Sequence, residues 1–171
     1  MERTPVAPSR PLTATLIVTL GMIVTVASAL GFQHLGGYVP CALCLVQRDP
    51  YYFAIPLGIL AIAFIAFHLP LWTVRALLAI IGVVMLIGAG IAVYHAGVEW
   101  HFWAGPATCA TSAPSITTSA GNLLGDLDAV KPPSCSDASL RVLGLSFAGW
   151  NVLASLALAA VAFWGVSKGQ G

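Results

Sequence analysis

The chain has 171 residues, 58% of them hydrophobic and only 8% charged, with a formal net charge of +1. Soluble domains carry about 25% charged residues, so a chain this apolar could not keep its surface in water. Its length suits one domain, the absence of a basic run excludes nucleic acid as a partner class, and the solvent to expect is a lipid bilayer.

A membrane helix needs about 20 mostly apolar residues, and four stretches qualify. The first is 12–32 (Leu12–Phe32), without a charge. The segment before it holds Arg3 and Arg10, and Ala27-Ser28-Ala29 resembles a small-residue cleavage site, so a signal peptide is the competing reading. Against it, the run continues past Ala29 to Phe32, long enough to stay in the bilayer. The second stretch, 51–69, follows Pro50 and ends at the His68–Pro70 break. The third, 76–94, follows Arg75, and the fourth, 146–166, stops before Lys168. Gly82, Gly88 and Gly90 in the third run, with Gly149, Ala154 and Ala157 in the fourth, either let helices approach closely or are ordinary apolar filler. The expected fold class is an all-α membrane protein: a four-transmembrane-helix bundle forming one domain over 1–171, with two outer loops at 33–50 and 95–145.

Four spans put both termini on one side. Arg3, Arg10, Arg75 and Lys168 fall on that side, and Arg48, Lys131 and Arg141 on the other over far more loop. The positive-inside rule then favours cytoplasmic termini. All four cysteines, Cys41, Cys44, Cys109 and Cys135, fall on the outer side, where disulfides persist.

Cys41-Ala-Leu-Cys44 is a C-x-x-C, a pair able to cycle between dithiol and disulfide and to lower a thiol pKa. No βαβ pattern surrounds it, as a thioredoxin domain would require. Leu45 stands where haem attachment needs His, and Cys109 and Cys135 are too widely separated for a compact zinc set. A purely structural disulfide stays open. The pair sits at the mouth of the second apolar run, where lipid meets water. If a helix already runs through this segment, Cys41, Cys44 and Arg48 form one stripe, and the guanidinium can stabilise a Cys44 thiolate or hold a quinone oxyanion. Asp49-Pro50 reads alternatively as an N-cap and first helical proline, with the stripe then a turn leading in. Arg48 is otherwise a snorkelling interfacial cation.

Cys109 follows Gly105-Pro106 and Cys135 follows Pro132-Pro133, surroundings that predict accessible loop thiols. Two pairs on one side make a relay possible, the loop pair meeting a partner and the membrane pair an acceptor. A static clasp, able to stabilise by about 3 kcal/mol, is the alternative. His95, Glu99 and His101 match no metal-ligand spacing, so no metal is expected; with Trp100 and Trp103 they read as interfacial polar residues in an aromatic belt. His95, directly after the third run, can donate to a quinone oxygen near Arg48.

Pro40-Cys41-Ala-Leu-Cys44-Leu-Val-Gln47-Arg48 resembles the signature of the DsbB family, the bacterial disulfide bond formation proteins B. The loop cysteines, the four runs and Gly144-Leu-Ser-Phe-Ala-Gly-Trp150-Asn151 before the last run agree with that layout. The resemblance covers nearly the whole chain. It implies a quinone-dependent protein thiol oxidase of the bacterial inner membrane, with cytoplasmic termini and periplasmic cysteines. A reduced thioredoxin-fold, DsbA-like periplasmic partner would attack a Cys109–Cys135 disulfide, with Cys109 forming the mixed disulfide. Cys135 would exchange with Cys41, and the Cys44 thiolate would meet a quinone, ubiquinone or menaquinone, positioned by Arg48. Gln47 and His95 are the further cofactor-binding candidates that the resemblance offers. Another quinone-linked membrane thiol enzyme, or a non-enzymatic protein with structural loop disulfides, are the alternatives. A transporter would want ionisable groups within the spans, and the four runs hold no charge.

Overall fold

The computed structural model describes residues 10–106, 135, 136, 138 and 140–167. Four long helices form the body. Helix α1 covers Arg10–His34, with Pro11 in the first turn, where a missing N–H costs nothing. Helix α2 is a single turn, Ala42–Val46, capped by Cys41, whose Sγ accepts from the Cys44 N–H at 3.3 Å. Helix α3 runs Asp49–Ala66 and α4 Leu71–Glu99. A two-rung antiparallel hairpin, β1 (Arg141–Val142) and β2 (Leu145–Ser146), leads into α5, Phe147–Val166. The hairpin turns on Leu143 and Gly144, both at positive φ (54° and 84°), as a two-residue turn of this twist demands. Ser146 then caps α5 by accepting from the Gly149 N–H at 3.2 Å.

All four long helices, α3 taken together with α2, are long and apolar enough to cross a membrane. In hydrocarbon a helix is the natural outcome, because it satisfies every backbone donor and acceptor within the segment. The outer surface is correspondingly greasy: Leu20, Phe53, Ile59, Ile87 and Leu153 are all exposed. One buried cluster joins Val18, Met22, Tyr51, Ile81, Met85 and Ala162, and a second joins Ala14, Ala61, Val74 and Leu78.

Helix ends differ from the apolar runs. α4 has 29 residues, roughly 43 Å at the usual rise, against a hydrocarbon core of about 30 Å. Hydropathy marks the part that meets lipid, whereas helical hydrogen bonding continues into the headgroup zone. The surplus places His95 and Glu99 on the last turns of α4, still helical and still buried. Helix α4 packs most closely on α5. There Gly82 lies under the Phe163 ring, and a Cβ on Gly88 would sit 3.3 Å from Pro50 and 3.7 Å from Ser155. Gly90 faces open space among the described residues, and Gly149 meets Leu145 of the adjoining hairpin. Two of the expected small residues therefore serve helix packing.

Candidate functional site

The end of the bundle where α1 and α4 finish and α3 and α5 begin gathers the sulfur chemistry. Cys41 and Cys44 are both free, with sulfurs 2.8 Å apart. The one-turn helix produces this approach, since its cap and its third residue fall on one side. Arg48 does not continue the helix: α2 ends at Val46, Gln47 and Arg48 form a turn, and α3 starts at Asp49. The continuous-helix stripe is therefore absent. Asp49 is the first helical residue rather than the cap, with Pro50 behind it. The proline forbids the hydrogen bond that would join the two helices.

The two sulfurs face different neighbours. Cys44 lines a cavity of about 450 Å³ between α1, the α2–α3 turn and α5. Its apolar wall includes Phe32, Tyr38, Phe147 and Trp150, and its polar wall Gln33, Gln47, Arg48, Tyr51 and Asn151. The Phe32 and Phe147 rings lie 5.0 Å apart, and Arg48 Nη1 donates to Gln33 Oε1 at 2.6 Å. A slot with aromatic walls and several polar groups on one side suits a flat ring bearing carbonyls. Cys41 is not among the residues lining that cavity. It packs instead with Leu43, Val98 and Cys135.

Cys135 is disulfide-bonded and only 1% exposed. The accessible thiol predicted from its Pro-rich setting is thus corrected: packing on apolar Leu43 and Val98 buries it, which local polarity could not foretell. Cys109 lies outside the described residues.

His95 stands behind Cys41, with Nε2 3.6 Å from the sulfur and Nδ1 2.6 Å from Gln47 Nε2. It does not line the cavity. Glu99 Oε1 is 3.9 Å from the same Nε2, and Ser146 Oγ donates to Glu99 Oε2. The Cys41 thiol is held well below the ordinary thiol range. The hydrogen bond shared with Cys44 contributes most, burial opposes it, and His95 and the Cys44 N–H add to it. The sulfurs of Cys41 and Cys44 and a ring nitrogen of His95 all lie within 4.8 Å of one another.

The family model described as Disulfide bond formation protein DsbB matches residues 11–165. The chain belongs to the DsbB family. It is 29% identical over 155 residues to the Disulfide bond formation protein B of Saccharophagus degradans, an alignment covering 87% of this chain and 89% of the relative. It is 27% identical over 176 residues to the protein of that name from Aromatoleum aromaticum, covering 92% and 96%. No solved structure matches. Membership makes the chain a disulfide bond formation protein, and its four apolar helices make it multi-pass.

Within this DsbB-family site, Tyr51, Asn151 and Ser155 are residues that the sequence left unremarked as a group. Tyr51 donates to Asn151 Oδ1 at 2.6 Å and pairs with Ser155 Oγ at 2.8 Å, while Asn151 Nδ2 donates to Gln47 Oε1 at 2.9 Å. Their one available signal is uncharged polarity inside apolar runs, because a buried polar group in lipid must find a partner.

Proposed function

We propose that the protein is a quinone-dependent protein thiol oxidase, a single DsbB-like domain in a bacterial inner membrane with cytoplasmic termini and periplasmic cysteines. It re-oxidises a DsbA-like dithiol protein. Net, a partner dithiol and a quinone become a partner disulfide and a quinol, with two electrons and two protons passing between them. The observation that supports this best is the unequal setting of the two free sulfurs: Cys44 on the cavity wall, Cys41 against Cys135.

In this reading the partner's thiolate attacks Cys109 of a Cys109–Cys135 disulfide, because Cys135 is too buried to be attacked from water. Released Cys135 exchanges with Cys41, its packing neighbour. Cys44 is the sulfur from which electrons leave the protein. Arg48 and Gln47 would hold a quinone oxygen, and the aromatic wall would hold the ring face. When bound, the quinone supplies a two-electron, two-proton sink dissolved in the same bilayer. His95, away from the cavity, serves Cys41 instead.

The test uses protein purified in detergent with reduced partner and either ubiquinone or menaquinone, following quinol absorbance. Wild type forms quinol with one or both, and Cys44→Ser forms none. Dithiol oxidation that proceeds equally fast without any quinone rules the proposal out.

A further inference from the structure

A line of hydrogen bonds leads from Cys41 through α4 and the α2–α3 turn to α5, and each link dictates the next. At its far end the Tyr51 hydroxyl donates to Asn151 Oδ1 at 2.6 Å. With its oxygen engaged, Asn151 offers Nδ2 to Gln47 Oε1 at 2.9 Å. Gln47 therefore turns its Nε2 to His95 Nδ1, at 2.6 Å. An amide nitrogen only donates, so Nδ1 must be the bare, accepting nitrogen and the imidazole proton sits on Nε2. That nitrogen faces two acceptors, Cys41 Sγ at 3.6 Å and Glu99 Oε1 at 3.9 Å. Glu99 is itself kept in place by Ser146.

We propose that Asn151, acting through Gln47, is a positioning residue that fixes His95 as the Nε2–H tautomer, so that a neutral imidazole donates to the Cys41 sulfur. The inference rests on the reading of Cys41 as the sulfur of the relay that exchanges with Cys135. Among the described residues, the titratable groups facing the pair are Cys44 from α2 and Glu99 from α4; Tyr51 of α3 ends the line, and Cys135 is tied in its disulfide. Fixing a tautomer through the other ring nitrogen orients the donor at no cost in charge, which a buried site at the membrane surface favours.

The test uses reduced protein in detergent with isotope-labelled histidine, without quinone or partner. The His95 signals are identified by their loss in His95→Asn. Wild type should carry the proton on Nε2. Asn151→Asp keeps the side-chain shape but can only accept. Gln47 must then turn its Nε2 to the new carboxylate and its Oε1 to His95, drawing the proton onto Nδ1. Nε2 is left bare toward the sulfur, and the Cys41 thiolate titration, read by ultraviolet absorbance, moves up by about one pH unit. A wild-type proton on Nδ1 overturns the proposal, as does an Asn151→Asp protein with unchanged tautomer and titration. If the buried aspartate prevents folding, Asn151→Leu serves: it should raise the titration by a similar amount, and a folded Asn151→Leu protein titrating like wild type overturns the proposal as well. Since no quinone enters, failed quinol formation would remove the oxidase reading while leaving this result standing, and the reverse also holds.

Discussion

Cys41 differs from an ordinary thiol because a second sulfur lies 2.8 Å away. The proton of the reduced pair can sit on Cys44 while Cys41 carries the charge. Its pKa is pushed down from the ordinary thiol value, chiefly by the hydrogen bond from Cys44. A depressed acid gives up its proton at lower pH than an ordinary thiol and regains it as pH falls, so in the reduced pair Cys41 is the sulfur that carries the charge. We expect the reduced protein to lose its first thiol proton well below the ordinary thiol range. In Cys44→Ala, which removes the largest cause, that step should climb toward that range by on the order of 1–3 pH units. Thiolate absorbance against pH reads both, and a first step that ignores Cys44→Ala contradicts the shared-proton account. The cysteine pair and Arg48 were legible in the sequence because motif and position at the lipid boundary coincide. Asn151 was not, since it pairs with a residue 104 positions away. A lone polar side chain in an apolar run says that a partner exists without saying which.

Among the helices, the apolar runs gave the four long elements, because in hydrocarbon length and hydropathy leave the backbone little choice. They did not give α2 or the hairpin. A five-residue helix rests on one sulfur cap and the proline break after it, and the hairpin on Leu143 and Gly144 at positive φ; neither has periodicity to read. Nor could the runs say which small residues touch. In α4, Gly88 meets Pro50 and Ser155, while Gly90 meets nothing within 4 Å among the described residues. Gly88→Val should overpack the junction of α3, α4 and α5 and cost about 1–3 kcal/mol. Gly90→Ala should stabilise by roughly 0.5–1 kcal/mol, by replacing glycine in a helix interior. Thermal unfolding in detergent compares them, and equal responses would show that α4 does not pack with the face described.

Across the whole molecule, the proposed oxidase would couple a contact in water to chemistry in lipid. α4 is longer than a hydrocarbon core, and its buried last turns set Val98 against Cys41 and Cys135 and His95 beside the Cys41 sulfur. Cys44 opens instead onto the cavity whose wall runs down α1 and α5. In the proposed relay, electrons entering through a buried Cys135 would cross Cys41 before reaching that wall, an order that follows how the sulfurs pack. Removing one sulfur should therefore stop the flow at a defined place. With Cys135→Ser, Cys109 has no disulfide left to be attacked, so a reduced partner that keeps only its attacking cysteine should form no adduct, whereas on wild type it should be held as a mixed disulfide with Cys109 and appear as a larger, reductant-sensitive band on a non-reducing gel. With Cys44→Ser, Cys41 has no resolving neighbour, and the block should fall one step later, between Cys135 and Cys41. Wild type deprived of quinone should instead collect with Cys41 and Cys44 both alkylatable after denaturation. Static loop clasps give a different pattern: no partner adduct, and no change in free thiols when quinone is withdrawn. If the adduct forms equally well in wild type and Cys135→Ser, then Cys135 is not the sulfur that hands electrons on, and its burial against Cys41 has only a structural meaning.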